Sequence, residues 1–547
     1  TKGKPICRPS VGGAARNREK GNSIFVCLLD IQKCFDSLWQ DGMFLKIFDA
    51  GIIKGKLWRI LKLFYEGFVC RVVMNGKQSD DIRVQRGIHQ GAPCSMFFFV
   101  VFINELLQQI QRFQSKVTVT NVILNCASFA DDITLLAIRK ADLQSLIDIA
   151  YRFSRRWKFH FNPKKCMYLI FGKDDLPNEP VYLGPNVLEK SEMEPHLGSV
   201  LATSNVQEHR FISTRLNACQ SMCYAMLSLG TRLVPVSPAI ANKIYQSSCL
   251  PKLCYAVEVM DIEGESLNDM ETFHVKISKM LHGLPNQTSN AASLCTMGWN
   301  TIEASVEICR LLFMWRVLLL PISNIYKSTM VRRLLKHITN PAAGYGPVYN
   351  MYRICLKYGL ICIVYESVMT GNFITMDKWK RLIKDCILQL DRRKLTVNGY
   401  LCKSLVLVST DTWNSDKMLS WWNYVKSNVW NMNRCRITVR LLLNTYRFGY
   451  ESCKLCNNNQ CDSVIHILFE CNGFPSAREA LWEQVVASSP QTLSIELRNM
   501  NSLKRCELLL NCLNCDIVPE WMELYDAICI YISTMYTDYM DSLNMIK

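Results

Sequence analysis

Ser128-Phe-Ala-Asp-Asp-Ile-Thr-Leu135 sets two adjacent carboxylates, Asp131 and Asp132, between two apolar runs. The flanking runs, Val117 to Asn125 and Ile133 to Ile138, read as strands, so the acids fall in the turn of a hairpin. A second stretch, Leu28-Leu-Asp-Ile-Gln-Lys-Cys-Phe-Asp36, closes the apolar run Ile24 to Asp30, which reads as a buried strand ending on an acid. An acid at a strand end beside an acid pair in a hairpin turn can bring three carboxylates together. Such a cluster is costly unless divalent cations neutralise it. Hard oxygen ligands suit Mg²⁺, and two such ions about 4 Å apart stabilise the attacking and leaving oxygens of a phosphoryl transfer. An isolated Asp-Asp is more often a polar turn, but flanks this apolar do not suit an ordinary surface turn.

Working outward, helical patterns run from Gly42 to Phe64, and Arg71 to Asn75 and Asp81 to Gln85 flank a hairpin signal at Gly76-Lys77. Gly91-Ala-Pro93 breaks the chain before a helix over Ser95 to Phe113. Alternating strands and helices over the first 175 or so residues predict an α+β domain. From about residue 205 the periodicity is helical, punctuated at Pro235, Pro251, Pro285 and Pro321.

Of 547 residues, 49% are apolar and 20% charged, which excludes disorder or a coiled coil as a description of the whole. Lys and Arg number 63 against 47 acids, a surplus of +16 that suits a polyanionic partner. The 26 cysteines lie scattered in apolar stretches and read as reduced, buried small hydrophobes. No run reaches the roughly 20 apolar residues of a membrane span, and no start resembles a signal peptide. The expected location is nuclear or cytoplasmic, not secreted.

These segments resemble the reverse transcriptase of non-LTR (LINE-type) retrotransposons. Asp30 to Asp36 resembles the family's first catalytic motif, an aspartate followed by Lys, Ala-Phe and a second Asp. Arg86-Gly-Ile-His-Gln-Gly-Ala-Pro-Cys-Ser95 resembles its Arg-Gly-x-x-Gln-Gly-x-Pro-x-Ser motif, and Phe129-Ala-Asp-Asp132 its Phe/Tyr-x-Asp-Asp box. Phe161-Asn-Pro-Lys-Lys165 resembles Asn-x-x-Lys, and His196-Leu-Gly198 the Tyr-Leu-Gly primer grip. Five motifs in the family's order are far more specific than any one of them.

The resemblance implies roles. Asp30, Asp131 and Asp132 hold two Mg²⁺ ions, with Ile31 lending a backbone carbonyl. Phe35 falls on the steric-gate position, crowding a ribose 2′-OH. Gln90 and Gly91 lie against the nascent base pair, where Gly permits close approach. Lys165 sits near the leaving pyrophosphate as cation or proton donor. Asp36 caps locally rather than binding metal. The sequence departs from the family at His89 (usually Arg), Ala92 (Asp or Ser) and Met96 (Pro). Only 29 residues precede Asp30, too few for full fingers, so the chain is expected to be truncated at its N-terminus; the apurinic-type endonuclease of the resembled family would lie upstream of residue 1.

Leu250-Pro-Lys-Leu-Cys-Tyr-Ala-Val-Glu258 resembles a pattern of the family's helical thumb. Trp421-Trp422 and Tyr424, followed by Arg434, Arg436, Arg440 and Arg447, interleave aromatic and basic residues. That suits base stacking and phosphate contact, and equally a helix with an apolar core face and a basic solvent face. Cys453-Lys-Leu-Cys456, His466 and Cys471 give the spacing C-x2-C-x9-H-x4-C, the donor set of a closed tetrahedral structural Zn²⁺. Cys461 is a spare thiol inside that loop.

The expected architecture is α+β: a right-hand polymerase palm with incomplete fingers, then a helical thumb, a helical middle region and a small zinc knuckle. The expected segments are a basic arm at 1–20, palm at 21–204, thumb at 205–340, connecting region at 341–450, CCHC knuckle at 451–475 and helical tail at 476–547. The expected activity is RNA-directed DNA polymerisation in target-primed reverse transcription, on an RNA template, a DNA primer and dNTPs, with no membrane involved. The rival is a decayed or co-opted copy that binds nucleic acid without polymerising. An RNA-dependent RNA polymerase is a weaker third, against which Phe35 argues.

Overall fold

The computed structural model describes residues 23–546, apart from 90, 93, 115–116, 120–121, 173–178, 229–236, 342–343, 345, 426–430, 457–459, 475–476 and 515–517. The expected basic arm at 1–20 and Gln90 therefore lie outside the described residues. The chain forms two compact units, residues 1–211 with 317–350, and residues 212–316 with 351–547.

The first unit is built on β1 (Ile24–Leu29), an entirely apolar run. It is flanked on both sides, by β3 (Asp132–Ala137) and β4 (Met167–Phe171), in a six-stranded sheet of order β5-β6-β4-β1-β3-β2. Here β2 is Cys126–Phe129, β5 Val181–Leu183 and β6 Asn186–Lys190; only the β4–β6 pair is parallel. Alternation divides the core between two faces of β1. Phe25, Cys27 and Leu29 join one cluster, while Ile24 and Val26 join another with Val117, Leu124 and Leu136.

The first face is covered by α3 (Ser95–Arg112) and α4 (Lys140–Arg156), after α1 (Gln40–Asp49) and α2 (Gly55–Glu66). Phe98, Phe99, Phe102, Leu106 and Ile110 make the buried stripe of α3, and Leu143, Leu146, Ile147, Ala150 and Phe153 that of α4. At roughly 1.5–3 kcal/mol for each large side chain removed from water, these stripes are what hold the sheet end rigid. The helical run expected over 42–64 is broken at Gly51 (φ 70) and Gly55 (φ 65). Lys46 is buried on α1, its ammonium 2.8 Å from Glu105 and 3.9 Å from the centre of the Trp157 ring. The Gly76-Lys77 signal is a hairpin, with Val73–Met74 paired to Lys77–Gln78 around Asn75 (φ 51) and Gly76 (φ 75). The run expected as one strand over 117–125 contains two short strands, Thr118–Val119 and Val122–Ile123, and stops before β2. A second hairpin, β7 (Met193–His196) and β8 (Ser199–Ala202), turns on Leu197 and Gly198.

The second unit is helical. Its larger elements are α5 (Asn205–Ser228, begun in the first unit), α6 (Pro238–Ile244), α7 (Gly264–His282), α8 (Asn290–Thr296), α9 (Ile302–Leu318), α10 (Met376–Tyr400), α11 (Met432–Leu442) and α12 (Met522–Ile546). Asp391 of α10 and Glu271 of α7 cap the start of α9: Asp391 accepts from the Thr301 N–H (3.0 Å) and Glu271 from the Ile302 N–H (2.7 Å). No described helix is long and apolar enough to cross a membrane.

Candidate polymerase centre and Cys/His cluster

Asp30 follows β1 directly, and β1 pairs antiparallel with β3 so that Leu29 faces Ile133. Continuing that register sets Asp30 across from Asp132. The β2–β3 hairpin pairs Phe129 with Asp132, leaving Ala130 (φ 55) and Asp131 as the turn. Asp131 reaches back to the residues after Asp30, for its Oδ2 accepts from the Cys34 thiol at 3.2 Å. Three acids from two neighbouring strands therefore share one end of the sheet. Their mutual field is plain at Asp132, whose carboxyl is pushed above the usual range by burial first, then by Asp131 and Asp30, with Lys165 opposing. The Lys165 ammonium lies 3.8 Å from Asp30 Oδ2. A carboxylate-only donor set with one opposing ammonium suits hard divalent cations such as Mg²⁺.

Backbone bonds lock this arrangement. The Asn162 N–H donates to the Asp30 carbonyl (2.9 Å), the Gln32 N–H to the His160 carbonyl (2.9 Å), and Ile31 bridges Phe161. The Asn-Pro-Lys-Lys turn is thus fastened to the strand that ends on Asp30, and Lys165 is delivered to it. The Asp30 N–H itself donates to Cys166 Sγ at 3.3 Å. Cys34 is pushed up to about 12 by burial and by Asp131, so it is a thiol rather than a thiolate.

Arg86 to Ser95 packs against the same segment. The Gly87 N–H donates to the Leu38 carbonyl and the Ile88 N–H to the Phe35 carbonyl, both 2.8 Å, and Gln40 donates to the Gly87 carbonyl at 3.0 Å. Gly87 has φ +90, and a Cβ there would stand 3.0 Å from the Phe35 and Asp36 carbonyl oxygens. Phe35 packs on Phe99, ring centres 5.6 Å apart. Gly91 has φ +84 with open space around it. His89, where the resembled motif has Arg, sits among Phe64, Tyr65 and Phe68. His196 meets Thr134 of β3 through its Nε2 at 3.3 Å, which ties the β7–β8 hairpin to the sheet.

The motifs of the resembled family singled out the acids and Lys165 but not Cys34 and Cys166. The signal for Cys34 was present as the residue standing where the resembled motif has Ala.

In the second unit, Cys453, Cys456, His466 and Cys471 offer ligand atoms that all lie within 4.8 Å of one another. Among the described residues this is the group of metal-ligating side chains with that spacing. Cys453 Sγ lies 3.7 Å from Cys471 Sγ, and Cys456 Sγ 3.3 Å from His466 Nε2. The first pair is held by the Cys453 N–H donating to the Gln460 carbonyl (2.8 Å). One turn of π-helix, His466–Glu470, links the two pairs, closed by the Cys471 N–H on the His466 carbonyl (2.7 Å). Tyr531 of α12 donates to the Leu468 carbonyl at 2.7 Å and anchors that turn. Cys461 is exposed and pairs with Ser452 outside the cluster. Three thiols and an imidazole at this spacing can hold a metal ion.

The stacking platform suggested by Trp421, Trp422 and Tyr424 does not exist: all three are fully buried. Their spacing matched a core helix as well as a stacking surface, and the core claims them. Arg440 donates to the Gly283 carbonyl, and Arg436 packs against the same glycine. Arg434 and Arg447 remain exposed. Elsewhere Arg310 donates to the Met260 and Ile262 carbonyls (3.2 and 3.0 Å) and Arg215 to that of Tyr255 (2.6 Å).

A mostly antiparallel sheet with acids at the end of a central strand and in the adjoining hairpin turn, backed by two helices, is the palm of a nucleic-acid polymerase. Residues 4–198 match the family described as reverse transcriptase (RNA-dependent DNA polymerase). The chain carries a reverse transcriptase domain related to those of non-LTR elements. It is 24% identical over 266 residues to the RNA-directed DNA polymerase from mobile element jockey of Drosophila funebris, covering 47% of this chain and 28% of that protein. It is 31% identical over 144 residues to the Pol polyprotein of the type-2 retrotransposable element R2DM of Drosophila melanogaster, covering 26% and 13%. The chain thus spans under a third of these relatives. Apo telomerase from Candida tropicalis, truncated of its C-terminal domain, aligns over 36% of this chain and 37% of that one at 14% identity and TM-score 0.27, a likeness too low to carry an argument.

Proposed function

We propose that this chain is the polymerising part of a non-LTR retrotransposon protein, extending a DNA primer with dNTPs on an RNA template in target-primed reverse transcription. The observation that carries the proposal is the gathering of Asp30, Asp131 and Asp132 at one sheet end with Lys165 beside Asp30. Two Mg²⁺ ions bound there would supply Lewis acidity to the attacking 3′-oxygen and the leaving pyrophosphate. The chain's own residues do the rest. Asp30, Asp131 and Asp132 present the carboxylates, and Ile31 a carbonyl. Lys165, two-thirds exposed, is free to reach a pyrophosphate oxygen. Phe35, backed by Phe99, closes the sugar side of the nucleotide, and Gln90 and Gly91 face the nascent pair. The helical segments 205–340 and 341–450 serve as thumb and connecting region, and Cys453, Cys456, His466 and Cys471 hold one structural Zn²⁺ in a knuckle at 451–475, followed by a helical tail at 476–547.

The test is primer extension on an RNA template with Mg²⁺. Wild-type chain should add dNTPs processively, and Asp131→Asn should reduce the rate by at least a thousandfold while leaving nucleic-acid binding intact. Full binding without extension in the wild type would replace the polymerase with a co-opted binding protein.

A further inference from the structure

Asp131 is held by a tight turn, yet its carboxylate meets a residue from the segment that follows β1. Its Oδ2 accepts from Cys34, 97 positions earlier in the chain, at 3.2 Å. Cys34 opens the one-turn helix Cys34–Ser37 that follows Asp30, and it is only 8% exposed. That helix starts from Lys33 in the left-handed region (φ 47), and Ile88 binds the carbonyl of the next residue, Phe35. The thiol has a fixed place. A carboxylate that gives one oxygen to a metal leaves the other to be oriented by an outer hydrogen bond. The alanine of the resembled motif has no donor to offer; the thiol at this position does.

We infer that Cys34 is a positioning residue for the metal centre: its thiol orients Asp131, so that one segment, residues 30–34, both supplies a ligand and aims the ligand of the neighbouring hairpin. The inference rests on the reading of Asp30, Asp131 and Asp132 as metal ligands. Removing the outer partner of a ligand costs roughly 10–100-fold in metal affinity, and a weak S–H donor belongs near the lower end.

The probe is Mn²⁺, followed by the electron paramagnetic resonance of the free ion, added to zinc-loaded, reduced full chain. Wild type should bind, and Asp131→Asn should abolish binding at the palm. Cys34→Ala should weaken Mn²⁺ affinity about tenfold, with a matching rise in the Mg²⁺ needed for half-maximal extension and an unchanged KM for dNTP. Cys34→Ser, which restores a donor, should stay within about threefold of wild type, and Cys34→Val, which fills the space without donating, should match the alanine variant. Equal affinity in wild type and Cys34→Ala, with Asp131→Asn still defective, overturns the inference and leaves the metal centre standing. Equal loss in Cys34→Ser and Cys34→Ala also overturns it. If wild type and Asp131→Asn bind alike, the ligand reading itself fails and takes this inference with it.

Discussion

Gly87→Ala tests whether the Arg86–Ser95 loop and the Asp30–Asp36 segment are one packed unit. An L-residue in the left-handed region costs roughly 1–2 kcal/mol. The added methyl would also stand 3.0 Å from two carbonyl oxygens and 3.1 Å from the Asp36 Cα, all backbone atoms. Those atoms cannot recede freely, because the bonds Gly87 N–H to Leu38, Ile88 N–H to Phe35 and Gln40 to Gly87 fasten both segments at 2.8–3.0 Å. Stretching one of these to breaking costs about 1 kcal/mol more. The sum is about 2–3 kcal/mol, or roughly 30–150-fold faster exchange of the protected amides that open with this unit. Hydrogen–deuterium exchange read on peptides covering Ile24–Leu29 and Ser95–Arg112 measures it. Gly91→Ala is the internal control: φ +84 imposes a similar backbone cost, but nothing lies within 4 Å of the added carbon. Gly91→Ala should therefore change exchange clearly less than Gly87→Ala. Equal effects, or less than about a twofold change in Gly87→Ala, would refute the close approach as the source of the cost.

Purified, reduced chain should carry one zinc per molecule; strong chelation should deprotect residues 449–474 without loosening β1, and Cys461→Ser should leave both zinc and protection unchanged. Phe35→Ala should admit ribonucleotides into primer extension, read as the ratio of rNTP to dNTP incorporation; an unchanged ratio removes Phe35 as the sugar gate. Burial raises Glu271 to about 7, against an ordinary value of 4.5. The folded chain then binds more protons than the unfolded chain between those values, so this group makes stability fall as pH rises from about 4.5 to 7. His274 and His282, lowered by burial to about 4 and about 3, act in the opposite sense, losing stability as pH falls from about 6.5. The stability difference between Glu271→Gln and wild type, from denaturant melts at pH 5 and pH 7.5, isolates the glutamate and should move in favour of the variant at the higher pH.

The strands that carry the acids were legible because a run as apolar as Ile24–Leu29 admits few placements, and because an acid at its end stands out against that background. The Cys/His cluster was legible from spacing alone, since a His-x4-Cys after Cys-x2-Cys is uncommon even in a cysteine-rich chain. Other features depended on contacts between distant positions. Nothing local in Trp421-Trp422 separates a stacking surface from a core, and only the burial supplied by neighbouring helices decides it. The guanidinium of Arg440 looks solvent-bound in sequence because its acceptor, the Gly283 carbonyl, is 157 positions away. The Cys34–Asp131 contact joins residues 97 positions apart, and it depends on the antiparallel register of β1 and β3.

The internal use of cations has a consequence for how this chain would respond to salt. Arg215, Arg310 and Lys46 are buried, and Arg440 is tied to a backbone carbonyl, so the count of 63 Lys and Arg overstates the cations that face solvent. Counterions released from a nucleic acid are counted by the phosphates that cations actually meet, about 0.9 per contact on duplex DNA and 0.7 on single strands. A plot of log affinity against log salt should therefore be shallower than the arginine count invites, and substituting Arg310 should lower stability while leaving that slope where it was.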